Sequence, residues 1–231
     1  MRKSSIVMSV IAVFIIIATG IGATACTPGS ETTQLSGVEV REYQGEDLSA
    51  VSSFRENSIK GTQHVDISTY QLQVNGLVAN SENLTYNDVT NNFTDYKKVV
   101  RLNCVEGWSV NILWEGVQVR DIINQAGALP EAKVVIFHAV DGYTTSFPIE
   151  YIMDNPILMA YKMNDITIPA ERGYPFMLVA EMKWGYKWIK WIDQIELSDN
   201  ISYKGYWEER GYSNGGDLDK GFFDNSDIFP F

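Results

Sequence analysis

Residues 104–123 read CVEGWSVNILWEGVQVRDII, and they hold one of the two cysteines of the chain. The residues before them, 97–103 (KKVVRLN), have strand character and deliver Cys104 at the strand's end. Further on, Val119, Ile122, Ile123 and Ala126 recur at helical spacing. This predicts a helix over 117–126, stopped by Gly127. A strand therefore ends on a thiol, and Glu106, Gly107 and Trp108 follow it.

What that thiol can do depends on the rest of the chain. The other cysteine, Cys26, closes an uncharged apolar run over 6–25 that follows Met1-Arg2-Lys3. A basic start and an apolar core mark an export signal. The run is also long enough to span a bilayer, which takes about 20 apolar residues. Residues 23–26 read ATAC, small residues before a cysteine, which predicts cleavage with lipid attached to Cys26. An uncleaved membrane anchor and a released protein are the other two readings. All three place the remainder outside the cytoplasm. The first two tether it to the cell membrane, in a periplasm or on an outer face. The expected organisation is an export signal or anchor over 1–25 and a polar tether over 26–45. One domain over 46–212 and an acidic, Gly/Asp-rich tail over 213–231 complete it.

With Cys26 lipidated, Cys104 has no intramolecular disulfide partner. It is then a buried small apolar side chain, a nucleophile with His64 or His138 as base, or a soft-metal ligand. Arg101, if it points the same way, favours the thiolate. Other chemistries are removed by composition. A net charge of −11 repels nucleic acid. Two histidines cannot complete a zinc site of the usual Cys/His kind. There is no Cys-x-x-Cys-His run, Gly-rich phosphate loop or Gly-x-Ser-x-Gly elbow. Asp217, Asp219, Asp224 and Asp227 lack the calcium-loop spacing. The tail reads as solvated, with the closing DIFPF apolar enough to dock.

The remaining pattern is strand-rich. Strands are expected over 70–74, 97–103, 133–140, 143–147, 158–163, 176–182 and 191–197, with short helical pieces from 84 and 149. There is no regular βα alternation, so the fold class is α+β, a mixed, strand-rich single domain.

Four blocks, in order, carry a family likeness. CVEGWSVNILWEGV matches a Cys-Val-x-x-Trp-Ser stretch followed by Trp-x-Gly-Val, through Cys104, Val105, Trp108, Ser109, Trp114, Gly116 and Val117. DGYTTSFPIEY from Asp141 matches an Asp-Gly-Tyr hairpin. RGYPFMLVAEMKWGYKWIKWIDQIEL from Arg172 matches a Gly-x-Pro strand, an aromatic-Gly-x-Lys turn and a Lys-Trp-Ile strand. GYWEERGY over 205–212 matches a C-terminal ending. The chain resembles the sulfite oxidase superfamily and its molybdopterin-binding oxidoreductase domain, most of all the catalytic subunits of periplasmic methionine sulfoxide reductases.

The resemblance implies one Mo-molybdopterin per chain, with Cys104 as metal ligand and catalytic residue. It implies that Gly185, Tyr186 and Lys187 bind the pterin phosphate, with Lys190 assisting. Arg55 and Asn57 fall where members present polar groups to the pterin. The family's arginine two residues after its Pro falls at Met177, so Arg172 is expected to serve a shifted anion site. A family Thr falls at Ala139, and a Pro-Trp pair at Glu181 and Met182. Trp108 is expected near the metal and His138 in a structural role. Sulfite-oxidising members place basic residues soon after the cysteine. Residues 105–114 contain none, and Glu106 is acidic. The expected activity is therefore oxygen-atom transfer from a small-molecule sulfoxide or N-oxide, with electrons from a membrane haem or quinol-linked subunit. An oxidase of another small substrate and a non-catalytic surface lipoprotein binding module are the alternatives.

Overall fold

The computed structural model describes residues 37–226. Cys26, the apolar run and the closing DIFPF lie outside the described residues. Among the described residues no helix is long and apolar enough to cross a membrane. The elements in chain order are β1 (Glu42–Tyr43), β2 (Glu46–Asp47), β3 (Leu72–Gly76), β4 (Glu82–Leu84), α1 (Tyr86–Asn92), β5 (Asp95–Asn103), β6 (Ser109–Gln118) and α2 (Val119–Ala126). They continue with β7 (Val134–Ala139), β8 (Thr144–Pro148), α3 (Ile149–Asp154), β9 (Leu158–Met163), β10 (Ile166–Thr167), β11 (Met177–Val179) and β12 (Ile192–Ser198). Strand predominates, as the α+β reading expects.

Two five-stranded sheets carry the domain. One runs β10-β9-β6-β5, with β11 also paired to β9, and the other runs β4-β3-β12-β7-β8. Each pairing is antiparallel except β3 with β12, which run parallel. Helix α1 starts at a reciprocal cap, where Thr85 Oγ1 accepts from Asp88 N and the Asp88 carboxylate accepts from Thr85 N. Helix α2 ends on Gly127 in the left-handed conformation, with φ of 74°. Its apolar face, Val119, Ile122, Ile123 and Ala126, is fully enclosed. Burying each of the three larger side chains contributes about 1.5–3 kcal/mol.

The largest departure from the sequence expectation is β6. Residues 117 and 118 belong to this ten-residue strand, and the helix begins only at Val119. The second half of β6 is buried on both faces, so it reads as an apolar run without alternation. The Trp-x-Gly-Val motif has a steric cause here. A Cβ on Gly116 would stand 2.3 Å from the Met159 carbonyl oxygen, at the register shift between β6 and β9.

The described parts of two expected peripheral segments, 37–45 and 213–226, are tied to the body instead. Within the expected tether, Glu39 accepts hydrogen bonds from Val51 N and Asn164 Nδ2 at 2.8 and 3.0 Å. The Val40 amide donates to the Asn164 carbonyl. The expected solvated tail folds back: Ser213 is buried, Trp184 N donates to Gly216 O, and Lys183 pairs with Asp217 at 2.5 Å. Both corrections arise from polar groups that find buried partners far away in sequence, which composition cannot show.

Candidate active site

Strand β5 ends at Asn103, and the chain turns back into β6 through residues 104–108. The turn closes with Cys104 N donating to Trp108 O and Gly107 N donating to Cys104 O. Gly107 takes a φ of 88°, a conformation suited to glycine. This geometry places the thiol in the wall of a cavity of about 510 Å³. Cys104 is 8% exposed. Its Sγ accepts from the Glu106 amide at 3.5 Å and faces Asn57 Nδ2 at 3.9 Å. Burial raises the thiol above its ordinary pKa, and the Glu106 carboxylate adds to that, while the amides of residues 105 and 106 oppose it. Arg101 does not act on the thiol. Its guanidinium is exposed and bonded to Ser109 Oγ.

Glu106 lines the cavity and is exposed. Its Oε2 accepts from Trp108 Nε1 at 3.1 Å and Asn57 Nδ2 at 3.3 Å. These hydrogen bonds hold its carboxyl below the usual pKa, so it stays ionised at neutral pH. Trp108 lines the cavity beside the thiol as expected, and its ring packs 5.6 Å from that of Phe54.

The loop at 51–57 is held by Arg172. This arginine is 6% exposed and donates to three carbonyls: Nε to Val51 O, Nη2 to Phe54 O and Nη1 to Arg55 O, at 2.9, 2.6 and 3.1 Å. Its guanidinium also stacks 3.9 Å over the Phe54 ring. Desolvation lowers its pKa, but an arginine remains charged. Arg172 thus lines the cavity and also positions the loop that brings Asn57 to Cys104. Arg55 is exposed on the cavity wall. Lys190 lines it too, bonded to Glu56 Oε1 at 2.8 Å and Glu171 O at 3.2 Å.

Beside the thiol turn, Gly185–Lys187 form a 3-10 turn. A Cβ on Gly185 would lie 3.1 Å from Asn103 O and 3.4 Å from Cys104 Cα, so this turn rests on the backbone of the thiol. Tyr186 lines the cavity, its carbonyl accepts from the Tyr143 hydroxyl, and its own hydroxyl donates to Ser213 O at 2.6 Å. Lys187 is placed differently from the expectation. It does not line the cavity, is fully buried, and directs Nζ to Glu208 Oε1, Ser146 O and Asn214 O at 2.7, 2.7 and 3.0 Å. An ammonium has three N–H donors, and all three are used, so none is left for a phosphate.

Sequence reasoning missed Glu56, Tyr143, Glu171, Trp207 and Tyr212 as wall residues. Tyr143, Trp207 and Tyr212 sit inside the matched blocks, so the signal was present but unassigned. His138 lies outside the cavity and is satisfied by Glu196 Oε2 at 2.9 Å. Among the described residues no three His, Cys, Asp or Glu side chains gather as a metal cluster.

The oxidoreductase molybdopterin-binding domain family matches residues 59–207, which include Cys104, the glycine turn and Trp207. This chain belongs to that family. Its relatives include the Bacillus subtilis uncharacterized oxidoreductase YuiH, 35% identical over 153 residues, covering 66% of this chain and 76% of the relative. The putative protein-methionine-sulfoxide reductase subunit YedZ1 of Azospira oryzae is 32% identical, over 65% of this chain and 57% of its own. Mitochondrial sulfite oxidase of Drosophila melanogaster is 30% identical, over 58% of this chain and 25% of its own. In fold, the chain resembles the sulfane dehydrogenase SoxCD from Paracoccus pantotrophus, with a TM-score of 0.62 at 21% identity, covering 86% of this chain and 59% of that one.

The protein is therefore a molybdopterin oxidoreductase of the sulfite oxidase fold, and its cofactor is Mo-molybdopterin. The residues present fit that group. A single soft sulfur in the wall could take a metal, and a metal would overcome the burial that otherwise keeps the thiol protonated. Arg55, Arg172 and Lys190 line the same cavity, and their cationic groups would suit a phosphate.

Proposed function

We propose that this protein reduces an uncharged sulfoxide or N-oxide by oxygen-atom transfer, outside the cytoplasm and tethered to the cell membrane. The observation that carries this reading is the ionised Glu106 carboxylate, fixed by Trp108 Nε1 and by Asn57 Nδ2, the same amide nitrogen that faces the Cys104 sulfur. A sulfite anion entering there meets a like charge, whereas a neutral oxide does not.

Cys104 holds the metal. Arg55, Arg172, Lys190 and the backbone of Gly185 and Tyr186 hold the cofactor, with the domain over 46–212 as its carrier. When bound, the molybdenum centre supplies two-electron redox chemistry for oxygen transfer. Asn57 keeps Glu106 in place and presents an N–H towards the thiol. The aromatic wall, including Trp108, Trp207 and Tyr212, excludes water and packs the substrate's apolar groups. Reducing one oxide consumes two electrons and two protons and releases one water. The electrons come from a membrane subunit bearing haem or linked to quinol. That one relative is named as a subunit supports such a partner. The apolar run over 6–25 and Cys26 support the membrane location.

The test is elemental and pterin analysis of protein purified from its own host, followed by steady-state assays in both directions. One molybdenum per chain is expected, with kcat/KM for dimethyl sulfoxide or trimethylamine N-oxide above that for sulfite oxidation. Sulfite oxidation faster than the turnover of every oxide tested would overturn the assignment.

A further inference from the structure

Lys187, excluded from the cavity, has a different use. Its three hydrogen bonds reach Glu208 and Asn214 on the C-terminal segment and Ser146 on β8. Lys187 and Glu208 side chains are both 0% exposed. The Glu208 Oε1 that meets Lys187 also accepts from Thr145 Oγ1 at 2.7 Å. Oε2 has no partner, so without Lys187 only one hydroxyl stabilises the carboxylate.

The segment that this pair fastens is not a passive tail. Tyr206 N donates to Thr144 O, and a Cβ on Gly205 would stand 2.3 Å from that same oxygen. Trp207 precedes Glu208 directly and Tyr212 follows it by one short turn, and both line the cavity. Tyr212 packs against the rings of Trp207 and Tyr186 at 5.2 and 5.0 Å. At its other end the Lys187 turn rests on Cys104 Cα through Gly185. One turn therefore touches the thiol's backbone on one side and the aromatic segment on the other.

We propose that Lys187 and Glu208 are a buried latch of two positioning residues. They seat the strap formed by residues 203–220, so that Trp207 and Tyr212 form a substrate-recognising wall of the cavity that Cys104 lines. The substrate part of this proposal rests on the oxygen-transfer reading of the cavity. The latch itself does not. A buried ion pair that loses one partner strands the other charge, so the strap should loosen locally.

The experiment compares wild-type holoprotein with Lys187→Met and Glu208→Gln. Met keeps the length of the side chain without its charge, and Gln keeps every heavy atom of the carboxylate's shape. Hydrogen exchange is followed by mass spectrometry, together with metal content and kinetics on dimethyl sulfoxide. In Lys187→Met the strap amides of Tyr206 and Ser213 should exchange about tenfold faster or more, while β5–β6 amides keep their protection. Glu208→Gln should show the same pattern with smaller amplitude, which keeps the test open if the methionine variant does not fold. KM should rise by about fivefold with kcat changed by less than about twofold, because the wall moves and the metal ligand does not. Loss of molybdenum and pterin from Lys187→Met with native strap exchange would return Lys187 to the cofactor and overturn the latch. Equal acceleration in the strap and in β5–β6 would also overturn it. Holoprotein that reduces no oxide at all would defeat the oxygen-transfer reading alone, leaving the exchange result to decide the latch.

Discussion

The thiol turn at 102–108 and the glycine turn at 183–190 adjoin in the wall of one cavity but are built on opposite principles. The thiol turn is assembled from near neighbours. Cys104, Glu106, Gly107 and Trp108 bond one another within four residues, and the distant contacts of Asn57, Phe54 and Gly185 are added to a turn already closed. The glycine turn draws its partners from across the chain: Asp217 for Lys183, Ser213 for Tyr186, Glu208 for Lys187 and Glu56 for Lys190. A locally closed turn can be read from its own sequence. A turn defined by distant partners cannot, and two lysines three residues apart illustrate the difference. Lys190 lines the cavity, while Lys187 is spent inside the body.

The largest test of that contrast falls on the thiol turn. Cys104→Ser should abolish molybdenum binding, because a hard hydroxyl poorly replaces a soft thiolate. Metal analysis checks this, and full loading with an unchanged spectrum would remove Cys104 as ligand. Next comes Arg172→Ala, which leaves the Val51, Phe54 and Arg55 carbonyls without their donor. Losing three charge-assisted bonds in a buried site should cost about 3 kcal/mol and lower cofactor retention. Chemical denaturation with pterin analysis measures both, and a variant of native stability would show that the loop holds itself. Gly185→Ala probes where the two turns touch. The added Cβ meets Asn103 O at 3.1 Å, and overpacking there should cost about 1–2 kcal/mol, seen as a lower Tm. The smallest effect belongs to Glu106→Gln, which keeps the acceptor oxygen and removes the charge. Sulfite kcat/KM should rise about three- to tenfold at low ionic strength and less in high salt, while that for a neutral oxide stays near native. An unchanged ratio would show that Glu106 does not select by charge.

Much of the fold was legible because its signals are local. The helix start at 84–85, the Val119–Ala126 face, Gly127 and the Asp141-Gly142 turn are each set by residues close in sequence. The strand β6 was missed because burial on both faces erases alternation. In the site, Cys104 and Trp108 line one cavity, and Asn57 stands beside them from a loop that the motif does not include. Arg101 and Lys187 do not, since strand direction and a carboxylate twenty-one residues downstream decide where they point. Trp207 and Tyr212 stand in a recognised block, but only the folding back of the strap shows which side of it faces the cavity.

The parallel pair of β3 and β12 has a consequence for synthesis. β3 begins at Leu72 and β12 ends at Ser198, yet they are adjacent at the centre of one sheet. β12 also supplies the whole pairing surface for β7 on its other edge. Until the ribosome has released the residues of β12, β3-β4 and β7-β8 are two separate hairpins with open edges, and the second sheet does not exist. The other sheet is complete by residue 179. A nascent chain therefore carries one finished sheet and two exposed strand edges for the length of this interval, which is when a chaperone has most to cover.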